Sequence, residues 1–107
     1  MPDDLTIEPK TVHEMRQRAE PFMLLDCREE WEHQTARIEG AMLIPMRKIP
    51  RSLEQIPKGQ PIVVYCHHGM RSLDVAAWLQ KQGFSAQSLS GGIDRWSMEI
   101  DPSVPRY

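Results

Sequence analysis

Residues 62–83 read Ile62-Val63-Val64-Tyr65-Cys66-His67-His68-Gly69-Met70-Arg71-Ser72-Leu73-Asp74-Val75-Ala76-Ala77-Trp78-Leu79-Gln80-Lys81-Gln82-Gly83. They carry the signals of a strand, a tight loop and a helix in direct succession. Ile62 to Tyr65 is continuously apolar, the pattern of a strand covered on both faces of a mostly parallel sheet. From about Ser72 to Gln82, the residues Leu73, Val75, Ala76, Trp78 and Leu79 form a broad apolar helical face. Gly83 then supplies a left-handed cap, and Phe84 can fold back as its hydrophobic contact.

Outward from this unit the same alternation continues. Phe22 to Cys27, Ala41 to Ile44 and, more weakly, Ala86 to Leu89 read as strands, and Leu5 to Ile7 adds a fifth at an edge. Thr11 and Glu14 have capping-box spacing, with Val12, Met15 and Ala19 on one face before Pro21 stops the helix. Pro50, Pro57 and Pro61 with Gly59 punctuate the middle and leave room for a short helix through Leu53 and Ile56. Strands alternating with helices predict a three-layer α/β fold.

A chain of 107 residues suits one domain, 1–107, sharing a single core. Its Pro-rich end, Asp101-Pro102-Ser103-Val104-Pro105-Arg106-Tyr107, reads as an extended tail that packs across its own domain or docks a partner. Lys and Arg number 13 against 15 Asp and Glu, a formal charge of −2, with the signs interspersed. That balance points to neither nucleic acid nor an anionic membrane as partner. Met1-Pro2-Asp3-Asp4 lacks the order of a secretory signal, and no apolar run approaches the roughly 20 residues of a membrane span. Two cysteines, Cys27 and Cys66, are far from a disulfide framework and fit a reducing, cytoplasmic setting.

The chemistry concentrates in Cys66-His67-His68-Gly69-Met70-Arg71-Ser72, at the carboxyl end of a strand expected to run parallel, where open α/β sheets bind ligands. A tight loop entering a helix turns backbone N–H groups inward, and with the helix dipole they favour a thiolate at its centre. Gly69 gives the loop access to unusual dihedrals. Arg71 opposes the dipole of the helix it begins, an arrangement that makes sense when an anion lies between them. A metal held by Cys66, His67 and His68 is disfavoured, because three consecutive residues rarely converge on one tetrahedral ion and no second Cys or His pair lies at zinc spacing. Cys27, ending an apolar strand, reads as core rather than as a resolving thiol.

Four motifs taken together resemble the rhodanese-type sulfurtransferases. Cys-x-x-Gly-x-Arg-Ser after an apolar strand, here Cys66 to Ser72, is similar to that family's active-site loop. Asp26-Cys27-Arg28-Glu29 with Trp31-Glu32 resembles its Asp-x-Arg-Glu element. Ile38-Glu39-Gly40-Ala41 with Ile44-Pro45, and Gly91-Gly92 with Trp96, resemble two further signatures in the same order along the chain. Ala36-Arg37 departs from the Gly-His of many members.

The resemblance implies a mainly parallel five-stranded sheet flanked by helices, and a covalent, ping-pong transfer without a cofactor. In that reaction Cys66 takes the outer sulfur of a donor such as thiosulfate and passes it to cyanide, a thiol or an accepting protein. His67, His68, Gly69, Met70, Arg71 and Ser72 would bind substrate: the amides from His67 to Ser72 stabilise the charged sulfur and Arg71 holds a sulfonate. His67 and His68 would line the mouth, and Asp26 with Arg28 would brace the loop by ion pairing. Two rivals remain. One is a binding or regulatory module on the same fold. The other is a phosphatase, whose related loops place one residue more between Cys and Arg than the four found here.

Overall fold

The computed structural model describes residues 5–107 and contains five strands and four α-helices. In chain order they are β1 (Thr6–Ile7), α1 (Pro9–Gln17), β2 (Met23–Asp26), α2 (Glu30–Thr35), β3 (Met42–Leu43), β4 (Ile62–Tyr65), α3 (Met70–Lys81), β5 (Ala86–Leu89) and α4 (Gly92–Glu99). Two 3-10 turns, Met46–Arg51 and Leu53–Gln55, occupy the Pro-rich middle. The sheet order is β1-β5-β4-β2-β3, and every neighbouring pair is parallel. This is the α/β architecture with a five-stranded parallel sheet that the alternation predicts.

Side-chain alternation along the central strands builds one core on each face. Leu25, Ile62, Val64 and Cys66 pack with Val75, Ala76 and Leu79 of α3 and with Phe84. Leu24, Val63 and Tyr65 face the other way, onto Val12 of α1 and Ile93 and Trp96 of α4. Full burial of each such aliphatic side chain contributes about 1.5–3 kcal/mol, so β4, buried at all four positions, anchors both cores. Gly83 is left-handed at φ +94, and Phe84 is buried beside Leu79, as the capping signal implies.

The chain leaves β2 toward β3 and leaves β4 toward β5, in opposite directions across the sheet. The carboxyl ends of these two adjacent strands therefore open a crevice, the place where such sheets bind ligands. Asp26 pairs in register with Tyr65, which brings the segments beginning at Cys27 and Cys66 side by side.

Several boundaries differ from expectation. Helix α1 starts at Pro9 instead of at a Thr11 cap, because proline's fixed φ and missing N–H suit a first turn. It ends at Gln17, leaving Ala19 exposed in a left-handed conformation at φ +56 instead of on the apolar face. Strands β2 and β3 are shorter than their apolar runs. Beyond them single hydrogen bonds continue, from Cys27 N to Tyr65 O at 3.1 Å and from Met46 N to Cys27 O at 3.0 Å. The tail packs on its own domain: Val104 is buried beside Trp96, and Ser97 Oγ donates to Val104 O at 2.6 Å. No helix among the described residues is long and apolar enough to cross a membrane.

Candidate active site

The loop after β4 is shaped by two glycines whose backbones no other residue can replace without strain. Gly69 caps α3 at φ +104, and a Cβ there would lie 3.3 Å from Gly91 N. Gly92, at φ +63, lies so close to the loop that a Cβ would fall within 2.5 Å of Cys66 O. That approach lets the first turn of α4 hold the loop from outside. Ile93 N donates to Cys66 O at 2.9 Å and Asp94 N to His67 O at 3.1 Å. With its carbonyls pinned outward, the loop turns its amides inward.

Those amides meet the sulfur of Cys66. Gly69 N donates to Sγ at 3.1 Å and Ser72 N at 3.4 Å. The Ser72 hydroxyl lies 3.4 Å from Sγ and 2.7 Å from the hydroxyl of Ser88 on β5. An ionised sulfur could only accept, and the Ser72 hydroxyl would then donate to it and accept a hydrogen bond from the Ser88 hydroxyl. Cys66, Ser72 and Ser88 are all buried. The amino-terminal end of α3 faces the same atom, so the helix dipole and the loop amides present partial positive charge to it.

Arg71 is paired within the chain. Its Nη1 donates to Glu32 Oε1 at 2.8 Å and its Nη2 to Oε2 at 2.9 Å, which answers the unfavourable helix position without a bound ligand. Glu32 is buried, and burial alone would raise its pKa. Hydrogen bonds from Arg71, Glu29 N and Tyr107 outweigh that and hold it at about 2. Two of the five guanidinium N–H groups are taken by Glu32, so three remain for another anion.

Asp26 and Arg28 form a fully buried pair, with Arg28 Nε on Oδ1 at 2.8 Å and Nη2 on Oδ2 at 2.7 Å. Nη2 also donates to Ala36 O, and His33 Nδ1 lies 2.8 Å from Asp26 Oδ2. The connection from this pair to the Cys66 loop is indirect. Arg28 Nη1 donates to the Tyr107 hydroxyl at 2.7 Å, which donates to Glu32 Oε2 at 2.8 Å.

His67 and His68 stack on each other with ring centroids 4.0 Å apart, and His67 stacks on Tyr107 at 3.9 Å. Burial first, then the neighbouring His68, lowers the pKa of His67. Ligand atoms of His67, His68 and Asp94 lie within 4.8 Å of one another. Asp94 is also engaged by Arg106 at 2.9 Å. Met70 is exposed at the rim. Cys27 is a free, buried thiol whose Sγ donates to Tyr65 O at 3.4 Å, and burial pushes its pKa far up.

Of the residues singled out from sequence, Cys66, Gly69, Arg71 and Ser72 converge, while Met70 points away into solvent. Glu32, Ser88, Gly92 and Tyr107 complete the arrangement and were not anticipated as site residues. Spacing gave a signal for one of them, since Glu29 and Glu32 form a capping box at the start of α2.

A parallel sheet with a buried cysteine in a loop that turns amides toward its sulfur, beside the switch point, defines an α/β domain with its candidate site at the carboxyl ends of the strands. The chain belongs to the rhodanese-like domain family, whose model matches residues 8–99. It is 33% identical over 99 residues to a sulfurtransferase of Allochromatium vinosum, covering 92% of each chain. A crystal structure of a rhodanese-like domain protein from Staphylococcus aureus superposes with a TM-score of 0.84 at 26% identity, over 96% of this chain and 98% of that one. Identity is 37% over 89 residues to rhodanese-like/PpiC domain-containing protein 12, chloroplastic, of Arabidopsis thaliana; this match takes in 78% of the chain but 30% of that longer relative.

Proposed function

We propose that the protein transfers sulfane sulfur through a persulfide on Cys66. The observation that carries this reading is the pair of amides, Gly69 N and Ser72 N, directed at Sγ inside a loop with four residues between Cys66 and Arg71. A negatively charged sulfur is stabilised there by fixed dipoles that need no rearrangement during reaction.

In the first half-reaction the Cys66 thiolate attacks the outer sulfur of thiosulfate. A new S–S bond forms at Cys66, the bond within the donor breaks, and sulfite leaves with the bonding pair. The N–H groups of Arg71 not used by Glu32 are suited to the donor's sulfonate. In the second half-reaction a nucleophile such as cyanide or a thiol attacks the outer persulfide sulfur and regenerates the thiolate. An accepting protein would use the same step. Asp26 and Arg28 serve as bracing, and His67 and His68 line the mouth.

The test is steady-state transfer from thiosulfate to cyanide by the parent, Cys66→Ser and Cys27→Ser proteins. Loss of turnover in a folded Cys66→Ser variant, with most activity kept in Cys27→Ser, is the expected outcome. Equal loss in both folded variants would remove Cys66 as the single nucleophile.

A further inference from the structure

Tyr107 lies beyond the family match, yet its side chain touches Arg28, Glu32 and His67. Its hydroxyl accepts from Arg28 Nη1 at 2.7 Å and donates to Glu32 Oε2 at 2.8 Å. A guanidinium only donates and a carboxylate only accepts, so the direction of this relay is fixed. The ring lies flat on His67, at 3.9 Å and 7°, with Trp31 against it edge-on at 6.0 Å. Arg28 sits over the ring at 5.6 Å. Preceding residues hold the tail in place: Val104 is buried, and Arg106 reaches Asp94 with two hydrogen bonds, at 2.9 and 3.3 Å.

Glu32 thereby receives four hydrogen bonds. Glu29 N and Arg71 Nη1 reach Oε1, while Tyr107 Oη and Arg71 Nη2 reach Oε2. The two donors other than Arg71 fix the plane of the carboxylate, and that plane fixes the plane of the guanidinium. Without the tyrosine hydroxyl, Oε2 keeps only Arg71, and the two groups can turn together.

We propose that Tyr107 is a positioning residue for sulfur transfer: its hydroxyl orients Arg71 through Glu32, and its ring holds His67 at the mouth. The role rests on the sulfur-transfer reading above. It concerns how the donor is held and not the chemistry at sulfur, so it belongs to the donor's KM more than to kcat.

The experiment measures thiosulfate kinetics and the unfolding midpoint for the parent, Tyr107→Phe and Tyr107→Ala, and repeats Tyr107→Phe in an Arg71→Ala background. Tyr107→Phe keeps the ring and is expected to raise KM for thiosulfate about tenfold, with kcat changed less than about twofold. In the Arg71→Ala background the same replacement should change KM no further, because the group it orients is gone. Tyr107→Ala should lose the contact with His67 as well and fall further in kcat/KM. Unchanged kinetics in Tyr107→Phe, or a KM effect that persists without Arg71, would overturn the role even where the parent turns over thiosulfate normally. A parent that takes no sulfur from thiosulfate rejects the functional reading itself, and the positioning role with it.

Discussion

Arg71 and Glu32 lie in a two-point contact, Nη1 on Oε1 at 2.8 Å and Nη2 on Oε2 at 2.9 Å, joining the first turn of α3 to the first turn of α2. The contact ties the loop between β4 and α3 to the segment after β2, the two walls of the crevice. Arg71 is one-third exposed and Glu32 is almost fully enclosed, so solvent weakens the pair from one side only.

The pair makes acid stability testable. Glu32 is held at about 2 in the folded protein against 4.5 for the free group. A carboxylate with a depressed folded pKa contributes stability above its unfolded pKa, and that contribution is lost as pH falls through the folded value. It amounts to about 3 kcal/mol, disappearing between about pH 4.5 and pH 2. Urea unfolding across this range should show a shallower pH dependence in Glu32→Gln than in the parent.

Replacing Arg71 separates donor capture from sulfur delivery. Arg71→Ala is expected to raise KM for thiosulfate about ten- to hundredfold, the loss of a charged hydrogen bond worth about 1.5–3 kcal/mol. Transfer from an already loaded Cys66 to a small thiol should suffer much less. Single-turnover measurement of each half-reaction reads the two effects apart, and unchanged donor affinity would make Arg71 a structural residue alone.

Gly92 offers a steric test. A Cβ there would fall 2.4 Å from His67 O and 2.5 Å from Cys66 O, both backbone atoms that cannot swing aside. Gly92→Ala also places alanine at φ +63. The variant should lose about 3 kcal/mol of stability by denaturant unfolding, and most of its turnover even where it remains folded. A fully active Gly92→Ala protein would show that the loop tolerates displacement from α4.

Cys27 should behave as core. It is buried, its thiol donates to Tyr65 O, and burial opposes its ionisation. Cys66 is equally buried, but its sulfur takes hydrogen bonds from the loop amides instead of lying against a carbonyl. Iodoacetamide followed by peptide mapping should therefore label Cys66 faster than Cys27 in the native protein. Labelling of Cys27 at a comparable native rate would contradict that difference.

Much of this was legible in the sequence, and the reasons are local. Ile62 to Tyr65 is a strand to the residue, because a continuous apolar run between Pro61 and the Cys66 loop leaves little freedom in its ends. Ala86 to Leu89, with polar Gln87 and Ser88 inside it, is the weaker signal and is also a strand over those residues. The turn at Gly83 followed from glycine's tolerance of positive φ. In the sequence Gly91-Gly92 with Trp96 reads as a signature without a helix, whereas these glycines permit a close approach between the start of α4 and the Cys66 loop. The anion facing Arg71 reads from sequence as substrate, because its partner in the fold, Glu32, is 39 residues away. Tyr107 was equally out of reach, 75 residues from Glu32 and without a pattern of its own. Local rules find elements and turns; contacts across the crevice depend on strand order, which these rules do not give.

The central claim is that Cys66 carries sulfur, and intact-protein mass spectrometry after incubation with thiosulfate tests it most directly. The account predicts a gain of one sulfur atom, mapped to Cys66, lost on adding cyanide or a thiol and absent in Cys66→Ser. An unmodified parent protein that instead releases phosphate from an aryl phosphate in a Cys66-dependent manner would contradict it, and would assign the same loop to phosphoryl transfer.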